Sequence, residues 1–241
     1  MAPLLSVSEV SLRFGGVVAL DGVSFDVVAG HISGLIGPNG AGKTTAFNVI
    51  TRLATPESGR LELDGQTLLR TPAHRVVERG IARTFQNVNL FPTMSVLENV
   101  QVGAHARGRG VGEPEARITL DSVGLGPYAN EIASTLPFVL QKRVEIARAL
   151  AARPRLLLLD EPAGGLDQGE VEELGDLIVR ARDDHGLTVL LVEHHMGLVL
   201  GISDHITVLD FGRTIADGTP AEVRADPAVI KAYLGPDGDR S

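Results

Sequence analysis

The stretch "GPNGAGKTT", residues 37–45, constrains this chain more than any other. It satisfies the spacing G-x-x-x-x-G-K-[ST]. A loop so rich in glycine can curl until successive backbone N–H groups face one point, an arrangement that suits an anion. It follows an apolar segment, "HISGLIG", and precedes a segment that reads as a helix from Lys43 to about Leu53. That order predicts a phosphate-binding turn, because the helix adds its positive N-terminal end. Lys43 is expected to reach the β- and γ-phosphates, and Thr44 to ligate Mg2+. A chance glycine-rich turn is the other reading, and the flanking elements oppose it.

The second signal is "RLLLLDEP". A continuous apolar run bounded by Arg and Pro predicts a central parallel strand buried on both faces. Such strands deliver their C-terminal residues to the crevice where α/β proteins bind ligands. Asp160 is expected to hold Mg2+ through water, and Glu161 to polarise the attacking water as general base. A solvated acidic pair is the competing reading, and Lys43 upstream opposes it.

The remaining chain divides by texture. Residues up to about 67 read as antiparallel strands and turns, with an Asp64-Gly65 turn inside "ESGRLELDGQTL". "PAHRVVERGIARTFQ" predicts a short helix and a strand. From Asn87 to about Arg153 the pattern is helical, interrupted by "GAHARGRGVGEPEA", which reads as a surface loop with solvated Arg107, Arg109 and Arg117. "QGEVEELGDLIVRARDDHG" predicts an amphipathic helix stopped by Gly186. "TVLLVEHH" predicts a buried strand. "ITVLDFGRTIADGTP" predicts a hairpin about Asp210-Phe211-Gly212. "PAEVRADPAVIKAYLG" is a helical tail whose polar end is expected to fray.

Composition narrows the function classes. Among 241 residues there is no Cys, which rules out disulfides and Cys-ligated metals and suits a reducing cytoplasm. A formal net charge of −8 opposes nucleic-acid binding. The N-terminus lacks the basic and apolar regions of a signal peptide. No apolar run approaches the roughly 18 residues that span a bilayer. The expectation is a soluble or peripheral protein that meets a membrane only through a partner.

Taken together, the order and spacing of these motifs resemble the ATP-binding subunit of an ABC transporter over nearly the whole chain. Within that class the chain looks most like the subunits serving branched-chain amino acid importers. The segments carrying that likeness are "FGGVVALDGVSFDV", "RTFQNVNLFPTMSVLENV", "LLVEHHMGLVLGISDHI" and "GTPAEVRADPAVIKAYLG". The resemblance implies an α/β fold, with a P-loop NTPase (RecA-like) core, an antiparallel β subdomain and an inserted α-helical subdomain. It implies one domain over 1–241: core about 1–86 and 154–218, helical subdomain about 87–153, tail about 219–241.

The resemblance also implies roles. Gly37, Pro38, Asn39, Gly40, Ala41, Gly42, Lys43, Thr44 and Thr45 would cradle ATP. Phe14 would stack on adenine, with core packing as the other reading. Gln86 would sense Mg2+ and the γ-phosphate, with a solvated strand end as the bland reading. His194 would contact the γ-phosphate, whereas His195 reads as structural because neighbours on a strand face opposite ways. Asp167, in "GGLD", matches a loop that crosses between subunits. The implied partners are a second ATPase subunit (the same chain or another), two transmembrane permease subunits and, indirectly, a solute-binding protein. No nucleic acid is expected. The implied location is the cytoplasm, peripheral on the inner face of the membrane.

One stretch departs from the pattern. The signature loop of the family reads L-S-G-G-Q, and this branch often carries Pro and an aromatic before a remaining Gly. Here the positions are Leu136, Pro137, Phe138, Val139 and Leu140. A β-branched residue disfavours a left-handed backbone where glycine would let an amide approach phosphate. The expected penalty is on the order of 2–4 kcal/mol, or roughly 30- to 1000-fold in rate. Signature loops act in trans, so the penalty would fall on the ATP held by the partner. An alternative function follows: a nucleotide-gated interaction subunit with weak hydrolysis. ABC ATPases of DNA repair or translation fit less well, since the chain lacks coiled coils, zinc cysteines and a second ATPase half.

Overall fold

Turn chemistry and alternation build the N-terminal strands. In the computed structural model, which describes residues 3–106 and 112–234, β1 (Pro3–Phe14) and β2 (Val17–Val28) pair antiparallel. Next come β3 (Ile32–Ile36), α1 (Lys43–Ile50), β4 (Ser58–Leu63) and β5 (Gln66–Thr67). Asp64 and Gly65 join the last two with φ of 53° and 69°, the left-handed pair that a two-residue hairpin turn demands. The chain continues through β6 (Ile81–Arg83), α2 (Val96–His105), α3 (Glu113–Ser122), α4 (Phe138–Ala151), β7 (Leu156–Asp160) and α5 (Gln168–His185). It ends with β8 (Thr188–Val192), α6 (Met196–Ile202), β9 (His205–Asp210), β10 (Arg213–Gly218), α7 (Pro220–Ala225) and α8 (Pro227–Leu234).

These elements fall into two units. The first joins Met1–Ala73 with Thr188–Ser241. Within it β3 lies between β8 and β9, parallel to both, and β10 closes antiparallel on β9. Every residue of β3 and β8 is buried, as a parallel strand covered on both faces requires. A separate antiparallel sheet has the order β2-β1-β4-β5. The second unit is His74–Leu187. There β6 pairs parallel with β7, and α2, α3 and α4 pack against one another.

Local signals set the helix ends. Ser95 and Asp167 cap α2 and α5, each with a Glu three residues on that closes a capping box. Gly186, at φ 60°, stops α5. Three expectations change. The first helix ends at Ile50 rather than Leu53, because Arg52 turns left-handed at φ 61° and donates to the Leu69 carbonyl at 2.9 Å. The short helix expected before β6 is two 3-10 turns, Ala73–Arg75 and Val77–Arg79. The expected Gly/Arg-rich loop is shorter: Gly103 to His105 complete α2, and Glu113 to Ala116 open α3. Arg117 lies in α3 and pairs with Glu113 at 2.7 Å, one helical turn away. Arg107, Arg109 and the polar end of the tail lie outside the described residues.

Candidate nucleotide site

The first unit carries the phosphate loop. Gly37, Gly40 and Gly42 adopt φ of 150°, 81° and 105°. A Cβ on Gly37 would sit 2.1 Å from the Leu209 carbonyl oxygen, and one on Gly42 would sit 2.7 Å from that of Ala19. Side chains are therefore excluded by backbone at two of the three. The loop is held from the β9–β10 turn, where the Gly212 N–H donates to the Ala41 carbonyl at 3.0 Å. Lys43 is buried, and its ammonium donates to the carbonyls of Gly37 and Pro38 at 2.7 and 2.9 Å. Asn39 and Thr44 are exposed, Pro38 and Thr45 are half-buried, and Ala41 is buried. The first turn of α1 contains no acidic residue, so nothing there opposes an anion at the helix start.

Two further features of this unit were invisible in the sequence. On α8, burial pushes the Tyr233 phenol above its ordinary value, opposed by the main chain at Gly37. The Glu193 carboxylate, itself buried, accepts the N–H groups of His194 and His195 at 2.8 and 3.1 Å. Since β8 stops at Val192, His194 and His195 lie beyond the strand, and strand alternation does not separate them. What distinguishes His195 is that its Nδ1 accepts the Leu198 N–H at 3.3 Å and caps α6. His194 is exposed. Phe14 ends β1 opposite Val17 and is 55% exposed, which removes the core reading.

The second unit carries the acidic pair. Asp160, the last residue of β7, is buried, and its carboxylate accepts from Arg83 Nη2 at 2.6 Å. Glu161 follows with a left-handed backbone, φ 48°, a conformation costly for a non-glycine residue and concentrated at functional sites. Its Oε2 accepts from Gln86 Nε2 at 2.8 Å. Asp167 caps α5 by accepting the Glu170 N–H at 2.9 Å. Arg83 had no signal in the sequence, because nothing local points from a strand of three residues to a carboxylate 77 positions away.

The signature stretch corrects an expectation. Leu136 is buried, Pro137 and Phe138 are exposed, and Val139 and Leu140 are half-buried. Pro137 is the N-cap of α4, and Val139 is the second residue of that helix. Val139 is absent from the described residues with positive φ, so no left-handed backbone is required of it. The left-handed-backbone premise of the weak-hydrolysis reading is thereby removed. The Phe138 ring packs toward Gly165, where a Cβ would lie 3.0 Å from Cε1.

The donor set also fits the groups it would hold. The Thr44 hydroxyl in the first unit, and the Gln86 carboxamide oxygen and Asp160 carboxylate in the second, are each hard oxygen donors of the kind Mg2+ prefers. Among the described residues no cluster of three His, Cys, Asp or Glu could cage a metal by itself, and Mg2+ beside nucleotide phosphates needs no such cage. No helix among the described residues is long and apolar enough to cross a membrane.

A glycine loop between a buried parallel strand and a helix that starts at lysine, with an acidic pair ending another parallel strand, defines a P-loop nucleoside triphosphatase. Comparison with known proteins narrows the class. The family model "ABC transporter" matches residues 20–164, and "Branched-chain amino acid ATP-binding cassette transporter" matches 213–235. The chain belongs to the ABC transporter family and is one of its ATPases. It is 44% identical to the high-affinity branched-chain amino acid transport ATP-binding protein BraF of Pseudomonas aeruginosa, over 97% of this chain and 98% of that one. It is 42% identical to LivG of Escherichia coli, the corresponding transport ATP-binding protein, over the same shares. The ADP conformation of MJ1267, an ATP-binding cassette of an ABC transporter, superposes with a TM-score of 0.89 at 30% identity, over 98% of this chain and 100% of that one. A dimeric cassette, MJ0796 bound to ADP and Pi, matches with a TM-score of 0.79 at 27% identity, over 90% and 98%.

Proposed function

We propose that this chain hydrolyses ATP to drive import of branched-chain or closely related amino acids. It would do so as one of two ATPase subunits docked on two permease subunits at the inner face of the cell membrane. A solute-binding protein would choose the cargo. The amino acid reading rests on the full-length likeness to BraF and LivG and on the match of residues 213–235 to the branched-chain family model.

The observation that carries the chemistry is the 2.8 Å hydrogen bond from Gln86 to Glu161. It holds the carboxylate in one orientation at the end of a buried strand. Glu161 would take a proton from the water that attacks the γ-phosphorus. The P-loop amides and Lys43 would hold the phosphates, Phe14 the adenine, and His194 the γ-phosphate. Thr44, Gln86 and Asp160 would hold Mg2+, which would supply positive charge beside the phosphates. Residues 136–139 would face the partner's ATP, and Asp167 the subunit interface. The organisation we favour is a core of about 1–86 and 154–218, a helical subdomain of about 87–153 and a helical tail.

Reconstitution with permease and binding protein in liposomes tests this reading. ATP inside should drive uptake of radiolabelled leucine, and Glu161→Gln should abolish uptake and hydrolysis while retaining ATP binding. Uptake of urea or short amides without leucine would overturn the cargo assignment, and persisting hydrolysis in Glu161→Gln would remove Glu161 as base.

A further inference from the structure

The helix that begins at the signature stretch carries three charged side chains on one stripe, two buried and one half-buried. Lys142, Glu145 and Arg148 lie three residues apart along α4, and the first two are 3% and 2% exposed. All three bond to the main chain of one short segment. Lys142 Nζ donates to the Gln86 carbonyl at 3.2 Å. Glu145 Oε1 accepts the N–H groups of Phe85 and Asn89 at 3.4 and 3.5 Å. Arg148 Nη1 donates to the Asn89 carbonyl at 2.6 Å, and its Nη2 lies 3.5 Å from Glu145. The same Lys142 ammonium sits over the Phe138 ring, 5.5 Å from its centroid, in the first turn of α4.

Burying such groups is unfavourable for stability alone. Burial holds the Glu145 carboxyl above its ordinary value and the Arg148 guanidinium below its own. Apolar residues of similar volume at buried ionic positions are often neutral or stabilising. What the charges supply is directional: four main-chain atoms of residues 85–89 are fixed to one rigid helix. The side chain borne by that segment, Gln86, is the one that orients Glu161.

We propose that Lys142, Glu145 and Arg148 are positioning residues that clamp the Gln86 segment to the signature helix and so hold Gln86 against Glu161. The clamp rests on the roles proposed for Gln86 and Glu161. Its bonds go to the main chain of residues 85–89, so it acts on turnover and leaves nucleotide affinity alone. Lys142 joins the segment to the ring at the start of the helix.

The test uses the full chain in its assembled transporter. Lys142→Met keeps the stem volume and removes the ammonium. It should lower kcat for ATP at least tenfold while KM for ATP and affinity for a fluorescent ATP analogue change less than twofold. Lys142→Arg keeps a donor and a cation over the ring and should restore most of kcat. Amide hydrogen exchange at residues 85–89 should be at least tenfold faster in Lys142→Met, with protection in α1 unchanged. Exchange is read without turnover, so it reports on the clamp even if the ATPase reading fails. Should Lys142→Met not accumulate, Glu145→Gln is near-isosteric and should give the same pattern at Phe85 and Asn89 with a smaller loss of kcat. Unchanged exchange at 85–89, a kcat within twofold of the parent, or a Lys142→Arg variant as poor as Lys142→Met would each overturn the proposal.

Discussion

Replacing Arg83 by Met tests the buried partner of Asp160. Arg83 ends β6 and Asp160 ends β7, the neighbouring strand, and their side chains are 7% and 4% exposed at 2.6 Å separation. The guanidinium also lies over the Phe85 ring, 5.1 Å from its centroid. At such burial the pair is little screened, and removing one member strands the other charge away from water. The cost of breaking a buried pair from one side is about 3–5 kcal/mol. For a chain of this length each kcal/mol moves the melting midpoint by about 2–4 °C, so Arg83→Met should melt about 6–20 °C lower. Scanning calorimetry in buffer without nucleotide or Mg2+ measures this directly. Asp160→Asn in the Arg83→Met background removes the stranded charge and should recover more than half of the loss, because the penalty belongs to the uncompensated carboxylate. A midpoint within about 2 °C of the parent, or no recovery in the double variant, would refute the reasoning.

Two further outcomes follow from particular positions. Val139→Gly should leave ATPase turnover within about threefold, because residue 139 already has helical backbone and glycine relieves no strain there. A tenfold rise in steady-state hydrolysis would restore the idea that the side chain crowds the partner's phosphate. Burial, outweighing the hydrogen bonds from Phe85 and Asn89 and the charges of Arg148 and Lys142, raises the Glu145 carboxyl in the folded chain. Between the ordinary and the raised value the folded chain keeps a proton that the unfolded chain has lost. Stability should therefore fall as pH rises from about 4 through that window, and Glu145→Gln should flatten the fall in urea midpoints. A slope identical in both proteins would show that Glu145 does not titrate there.

The chain's own sequence determined those features that depend on consecutive residues. The loop at 37–45 was legible because glycine spacing dictates the backbone, and the observed φ at Gly40 and Gly42 is open to glycine at no steric cost. The turn at Asp64-Gly65, the stop at Gly186 and the buried run of β7 were legible for the same local reason. Tertiary structure alone decided who meets whom. Arg83 finds Asp160, Gln86 finds Glu161, and α4 grips residues 85–89 across separations of 56 to 77 residues. No local pattern encodes such pairings, because they arise where strand register and helix packing bring remote side chains together. The backbone at Val139 was decided the same way: residue type suggested strain, and its place in the first turn of a packed helix requires no left-handed conformation.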